Sequence, residues 1–330
     1  MESRKLGRSD VEVSVVTLGA WAIGGWMWGG TDDEAAIAGI RKAVDLGMTS
    51  IDTAPVYGFG HSERIVGQAV KGHRNEIQLL TKFGLRWDIE QGTNPFHSTL
   101  PDGTPVTVCK YAGRKSVIEE CERSLKRLGT DHIDLYQHHW PDPATPIEET
   151  MEALDRLLKQ GKILAAGVSN YSPEQMAEAQ RVVPLASSQP PYSMIRRDIE
   201  DDVLPYCREH GIAVLVYSPL QGGILTGKVT MDREFPETDL RHNNPYYTKE
   251  NRRRVLDFLE EIRPIAEAHE ATLAQAVINW TIHRPGVTAS LVGVRNPKQA
   301  EENAGAVAFE LTEEETRHID DLLGNLQLEL

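Results

Sequence analysis

The chain has 330 residues, 40% of them hydrophobic and 25% charged, enough apolar material to bury a sizeable core. A formal net charge of -14 argues against a nucleic-acid or anionic-membrane partner, so any anionic ligand has to be held by a local basic pocket. The three cysteines, Cys109, Cys121 and Cys207, lack metal-ligand spacing, and no apolar run approaches membrane-spanning length; together these point to a soluble protein of the reducing cytoplasm.

Residues 4–15 alternate loosely around Gly7-Arg8-Ser9-Asp10, the pattern of a hairpin. Strand-like and helix-like segments then alternate, beginning with Val15–Leu18. Thr31 to Glu34 reads as a capping box for a helix whose Ile37, Ile40 and Val44 share one face and which Gly47 closes. Strand Thr49–Asp52, a helix over Ser62–Val70 and strand Ile77–Lys82 follow, and then an insertion over 84–113. Ser116 with Glu119 reads as the cap of a helix running to Gly129, and Ile133–His139 as the fourth strand. Thr145-Pro146-Ile147-Glu148 combines an N-cap, a first-turn proline and a box glutamate, and Ser172-Pro173-Glu174-Gln175 repeats that signal after strand Ile163–Val168. Strand Leu185–Gln189, a helix over Ile199–His210 and strand Ile212–Tyr217 come next. A long polar loop to Asn244 precedes helices over 249–269 and 272–284. Strand Ser290–Val294, a helix opened by Asn296-Pro297 and a last helix from the Thr312/Glu315 box complete the pattern. Eight such alternations with apolar strands predict a single-domain α/β chain over 1–330. The expected fold is a (β/α)8 TIM barrel with an N-terminal β-hairpin and extra helices.

Four chemically active side chains fall at predicted strand ends: Asp52, Tyr57 on the loop after it, Lys82, and the pair His138-His139. A parallel barrel gathers its site from such positions. Adjacent strand residues face opposite ways, so the two histidines cannot share a metal ion. A free tyrosine has a pKa of about 10, high for an acid at neutral pH. A neighbouring ammonium would stabilise the phenolate and lower that value, with a carboxylate aiming the ammonium and a histidine positioning a carbonyl oxygen. Two nucleotide motifs nearly form. Gly19 to Gly25 lacks Rossmann spacing, and Gly222 to Lys228 has Walker spacing with Val229 where a hydroxyl is needed. The second still suits a diphosphate, and Gly293-Val294-Arg295-Asn296-Pro297-Lys298-Gln299 sets two cations at a capped helix start, an anion site.

These residues resemble the aldo-keto reductase superfamily over essentially the whole chain. The matching motifs are Asp52-Thr53-Ala54-Pro55-Val56-Tyr57-Gly58, Thr81-Lys82, Asp134 through Pro141, Gly167-Val168-Ser169-Asn170, Gln189-Pro190-Pro191-Tyr192, Tyr217-Ser218-Pro219-Leu220 and Gly293 through Asn303. The bacterial general-stress and inositol-operon-associated reductases look most similar, sharing Trp21-Ala22-Ile23-Gly24-Gly25 and Gln137 through Pro143. The resemblance implies reduction of aldehydes and ketones with NADPH. It makes Tyr57 the general acid, Asp52 and Lys82 its tuners, and His139, directly before Trp140-Pro141, the orienting histidine. It further implies that Ser169, Asn170 and Gln189 hold the nicotinamide carboxamide while Tyr217 stacks on the ring. Ser218, Leu220, Gly223 and Lys228 would line the diphosphate, with Gly293 beside it. Arg295, Gln299, Glu302, Asn303 and Arg241 would hold the 2′-phosphate end. Ala20 stands where relatives often carry a threonine, which removes one cofactor hydrogen bond and leaves Trp21 next to it. A nicotinamide-binding regulatory subunit of the potassium-channel β type is the alternative within the same superfamily.

The substrate is expected to be a small carbonyl compound, dicarbonyls such as methylglyoxal included. The final helix is expected to end near Leu323, leaving a seven-residue tail too short to wall the barrel mouth. Trp21, Trp26 and Trp28 of the first loop and Trp87, Phe96 and Tyr111 of the insertion would line it instead, with Trp140 beside His139.

Overall fold

The computed structural model describes residues 1–330. Eight parallel strands close into a barrel in chain order: Val16–Gly19, Ser50–Asp52, Gln78–Phe83, Ile133–His138, Ile163–Ser169, Ser187–Gln189, Ala213–Tyr217 and Ala289–Gly293. The last pairs with the first, Gly293 opposite Gly19, and helices cover the outside. This is the predicted (β/α)8 TIM barrel, with the hairpin Ser3–Lys5/Glu12–Ser14 in front.

Alternation along each strand sends one side chain inward and the next toward the helices. Inside, Leu80, Leu135, Ala165, Leu215 and Leu291 pack with Leu6, Val11 and Val13 of the hairpin. The hairpin sits at the strands' N-terminal end, where Gly7 (φ +53) lies so close to the carbonyls of Ala186 and Gly211 that a Cβ would fall 2.8 and 2.6 Å from their oxygens. An apolar plug thus closes that end. The polar members of the same inward rows, Asp52, Lys82, Gln137 and Gln189, are left to the opposite, C-terminal mouth.

Several local expectations needed correction. Asp32, not Thr31, caps helix Asp33–Asp45, its carboxylate accepting from the Ala35 N–H. Ser116 lies inside the first turn of helix Arg114–Leu128, where its hydroxyl is engaged by Glu120 and Arg86. Thr145 donates to Asp142 instead of capping, which makes Pro146 the residue before helix Ile147–Lys159. At Ser116 the distant Arg86 competes with the local motif, and at Thr145 the carboxylate three residues earlier does. The boxes at Ser172/Gln175 and Thr312/Glu315 form as read.

The insertion is a three-stranded antiparallel sheet of Leu85–Arg86, Thr93–Thr99 and Pro105–Lys110, the last in the middle. Thr93–Thr99 is exposed along most of its length, so no apolar alternation marks it as a strand. The last helix, Glu313–Asn325, runs two residues past Leu323. The tail behind it lies on helix Lys249–Ala268: Arg254 donates to the Gln327 carbonyl, Asn251 to that of Glu329, and the Glu329 N–H returns a bond to Asn251. No helix is long and apolar enough to cross a membrane.

Candidate active site

Asp52 ends the second barrel strand and Lys82 lies near the end of the third, both fully enclosed. Lys82 Nζ donates to Asp52 Oδ1 at 2.5 Å and to the Thr53 carbonyl at 3.0 Å. Burial lowers the Lys82 pKa while the Asp52 charge opposes that shift. Asp52 Oδ2 accepts from Gln189 Nε2 at 2.9 Å and from Gln137 Nε2 at 3.3 Å. The buried carboxylate therefore has a cation on one oxygen and two amides on the other, which offsets its desolvation.

Tyr57 sits above this pair, with Lys82 Nζ 5.2 Å from its ring centroid. Its loop is fixed by a close backbone crossing. A Cβ on Gly24 would fall 2.5 Å from the Tyr57 carbonyl carbon, and one on Gly58 (φ +64) 2.2 Å from the Gly24 oxygen, so both positions need glycine. Trp21 stacks on Tyr57 at 5.8 Å between centroids, and the His139 ring meets it edge-on at 5.8 Å and 82°. Burial and the adjacent Lys82 charge hold His139 well below the usual histidine range, so it is neutral. Tyr57 corrects one expectation. Burial, reinforced by the Asp52 carboxylate, pushes the phenol well above 10 and not below it. The site keeps Tyr57 protonated.

Beside this centre the ends of strands five to eight form a lip. Asn170 (φ +61), Ser218 (φ +59) and Gln221 (φ +45) hold left-handed conformations that are costly for non-glycine residues, a clustering typical of functional loops. Tyr217 donates to Asn170 Oδ1 at 3.0 Å, Asn170 Nδ2 donates to the His139 carbonyl and to Ser169, and Ser169 donates to the Gln189 carbonyl. Five predicted residues thus form one connected set next to Tyr57. Ala20 donates its N–H to the Asp52 carbonyl and accepts from Ser62, so it builds the wall through its backbone.

The residues expected at the phosphates separate into two groups. Gly223 and Gly293 face open space where a Cβ would meet nothing within 4 Å, and Leu220 packs, partly buried, against the main hydrophobic core. Arg295 is exposed, its backbone N–H bonded to Gln299 Oε1, while Asn296 caps helix Pro297–Ala304 and Asn303 donates to the Gly293 carbonyl. The other two cations are occupied. Lys228 pairs with Glu302 at 2.6 Å, and Arg241 pairs with Asp239 at 2.6 Å while lying 5.1 Å over Trp28. The glycine-lined opening and the unpaired Arg295 fit an extended, phosphate-bearing nicotinamide cofactor. So does the buried Trp21 Nε1–H, which has no hydrogen-bond partner.

Three of the expected mouth aromatics, Trp26, Phe96 and Trp87, form a chain with Phe59. Trp26 packs on Phe59 and Phe96 and donates to Ser98 at 2.8 Å, and Phe59 meets Trp87. Trp140, 38% exposed, lies under Lys110 at 4.9 Å. Of all the expected mouth aromatics, Trp21 alone stacks directly on Tyr57.

His138 points the other way, into the helix layer, stacked on Phe83 with its Nδ1 2.7 Å from the Tyr171 hydroxyl. Burial lowers it to about 3. The unfolded imidazole takes a proton near 6.5 and the folded one only near 3. Its contribution is therefore fully present above 6.5 and is lost as the pH falls toward 3. Between pH 7 and 4.5 this one group should cost about 2–3 kcal/mol. His138→Leu is expected to flatten that part of the pH–stability curve in urea unfolding; an unchanged slope would contradict the assignment.

A family model described as "Aldo/keto reductase family" matches residues 15–323. The chain is 41% identical over 328 residues to aldo-keto reductase YhdN of Bacillus subtilis, covering 98% of this chain and 94% of that one. It is 36% identical over 319 residues to an NADH-specific methylglyoxal reductase of Escherichia coli, covering 95% of each. Among solved structures, the glycerol dehydrogenase of Gluconobacter oxydans superposes with a TM-score of 0.88 at 41% identity, covering 99% of this chain and 96% of that one.

Proposed function

The chain belongs to the aldo/keto reductase family, and from that premise we propose that it reduces small aldehydes and ketones to alcohols with NADPH, Tyr57 giving the proton. The observation that carries this reading is the enclosed Asp52–Lys82 pair beneath Tyr57 with a neutral His139 across the ring. When bound, the reduced nicotinamide supplies a hydride. The protein supplies everything that acts on the oxygen. His139 offers a neutral N–H to the substrate carbonyl, which fixes the oxygen against the phenol. Tyr57 gives its proton as negative charge builds on that oxygen, and Lys82 stabilises the phenolate left behind. Ser169, Asn170 and Gln189 would hold the carboxamide, with Tyr217 under the ring.

Relatives divide over the nucleotide, one being named as NADH-specific and another carrying NADP(+) in its name. In this chain the exposed, unpaired Arg295 beside the capped start of helix Pro297–Ala304 supports NADPH. A charge-assisted hydrogen bond is worth roughly 1.5–3 kcal/mol, about ten- to 150-fold in affinity. Fluorescence titration should show tighter binding of NADPH than NADH, and Arg295→Ala should narrow the gap. Equal dissociation constants on the unaltered protein would remove the basis for this choice.

The tail is bonded to helix Lys249–Ala268, and the first loop and insertion share an aromatic cluster. That arrangement supports an open mouth accepting many small carbonyl compounds, methylglyoxal among them. We read 1–330 as one domain, working in the cytoplasm with its three buried thiols free. Steady-state NADPH oxidation with a panel of small aldehydes tests the reading. A protein that binds NADPH and turns over none of them would fit the regulatory, potassium-channel β type instead.

A further inference from the structure

Gln137 is a wholly buried amide on the inward face of the fourth barrel strand, two residues before His139. Leu135, its inward neighbour on the same strand, shows that an apolar side chain fills such a position without desolvating an amide. Register sets Gln137 between Lys82 on one side and Gly167 on the other, with Ser187 one strand further. Gly167 leaves the room for it: a Cβ there would fall 2.3 Å from Ser187 Oγ and 3.0 Å from Gln137 Cγ. Its backbone is not in the left-handed region, so space and not conformation requires the glycine.

The Asp52 carboxylate can only accept, which orients both amides that reach it. Gln137 Nε2 and Gln189 Nε2 therefore point at Asp52 Oδ2, and Gln137 Oε1 is left to accept from Gln189 Nε2 at 3.3 Å and from Ser187 Oγ at 3.4 Å. Both Gln189 N–H groups are thus engaged inside the protein. If Gln189 turns to a nicotinamide carboxamide, Asp52 Oδ2 keeps one side-chain donor, and that donor is Gln137.

We propose that Gln137 is a positioning residue of the reduction, holding the Asp52 carboxylate so that its other oxygen keeps the Lys82 ammonium aimed at Tyr57. It touches neither substrate nor phenol and acts through Asp52. The inference rests on Tyr57 being the acid.

Gln137→Met keeps the volume and removes both donors. We expect kcat to fall roughly 10- to 150-fold, the size of one charge-assisted hydrogen bond. KM and the NADPH dissociation constant should stay near their original values. The solvent deuterium isotope effect on kcat should rise, because proton delivery becomes slower relative to the other steps. A merely structural role would not move that isotope effect.

Gln137→Glu keeps the shape and guards against a misfolded methionine variant. Its introduced carboxyl, buried beside Asp52, should titrate well above an ordinary glutamate in the cofactor-free protein by carbon-13 NMR. Protonated, it can donate to Asp52 as the amide does, so activity should be retained at low pH and lost as that carboxyl ionises. Unchanged kcat and isotope effect in Gln137→Met, or an ordinary carboxyl pKa with pH-independent activity in Gln137→Glu, would overturn the proposal. Tyr57→Phe separates the two levels. If that variant still turns over, the reading of the acid fails; if it is dead while the Gln137 variants behave as the unaltered enzyme, this inference alone fails.

Discussion

Tyr57→Phe is expected to lower kcat for carbonyl reduction by roughly 10²- to 10⁴-fold, the usual contribution of a positioned acid. The substitution removes one oxygen and keeps the ring that stacks on Trp21 and meets His139, so the pocket should hold its shape. Cofactor affinity should barely change, because the phenol acts on the substrate oxygen. The pH dependence follows from the direction of the shift. Burial and Asp52 keep the phenol protonated to well above its ordinary range, so the acid form persists and kcat should not decline through the neutral range for want of a proton. Stopped-flow turnover with and without the hydroxyl checks both statements. A Phe variant with normal turnover would show that the proton comes from elsewhere.

Lys82→Met should reduce kcat by a comparable factor and destabilise the protein as well. Tyr57 would lose the cation that stabilises its phenolate, while Asp52, enclosed and negative, would lose the partner at 2.5 Å. Removing one member of a buried pair typically costs about 3–5 kcal/mol, because the remaining charge is left unpaired. The double change Lys82→Met/Asp52→Asn removes that charge, so it should recover much of the stability and none of the activity. Urea unfolding and turnover on the same samples separate the two effects. Activity returning with stability would mean that Lys82 only supports the fold.

The four central side chains were legible because barrels put chemistry at strand ends, and Asp52, Lys82 and His139 fall there whatever the exact strand boundaries. Gln137 carries a weaker signal of the same kind, because an amide has no acid or base chemistry of its own to mark it. It is an amide in the run Ile133-Asp134-Leu135-Tyr136-Gln137-His138, on the face that Leu135 and His139 share. The direction of the Tyr57 shift could not be read, since it depends on how completely the loop from Trp21 to Gly25 covers the ring, and that cover comes from the crossing of Gly24 with Gly58. The insertion's sheet stayed hidden because its outer strand faces solvent and has no apolar period. Lys228 and Arg241 read in the sequence as free cations at the expected phosphate sites. Their pairing with Glu302 and Asp239 joins residues far apart in the chain or held by a turn, and spacing alone does not reveal it.

The most direct test follows NADPH loss and alcohol formation together, with methylglyoxal or a simple aldehyde as substrate. One alcohol is expected for each NADPH oxidised, in a reaction that Tyr57→Phe slows by roughly 10²- to 10⁴-fold while NADPH remains bound. Tight NADPH binding with no alcohol above background for any aldehyde or ketone would contradict it.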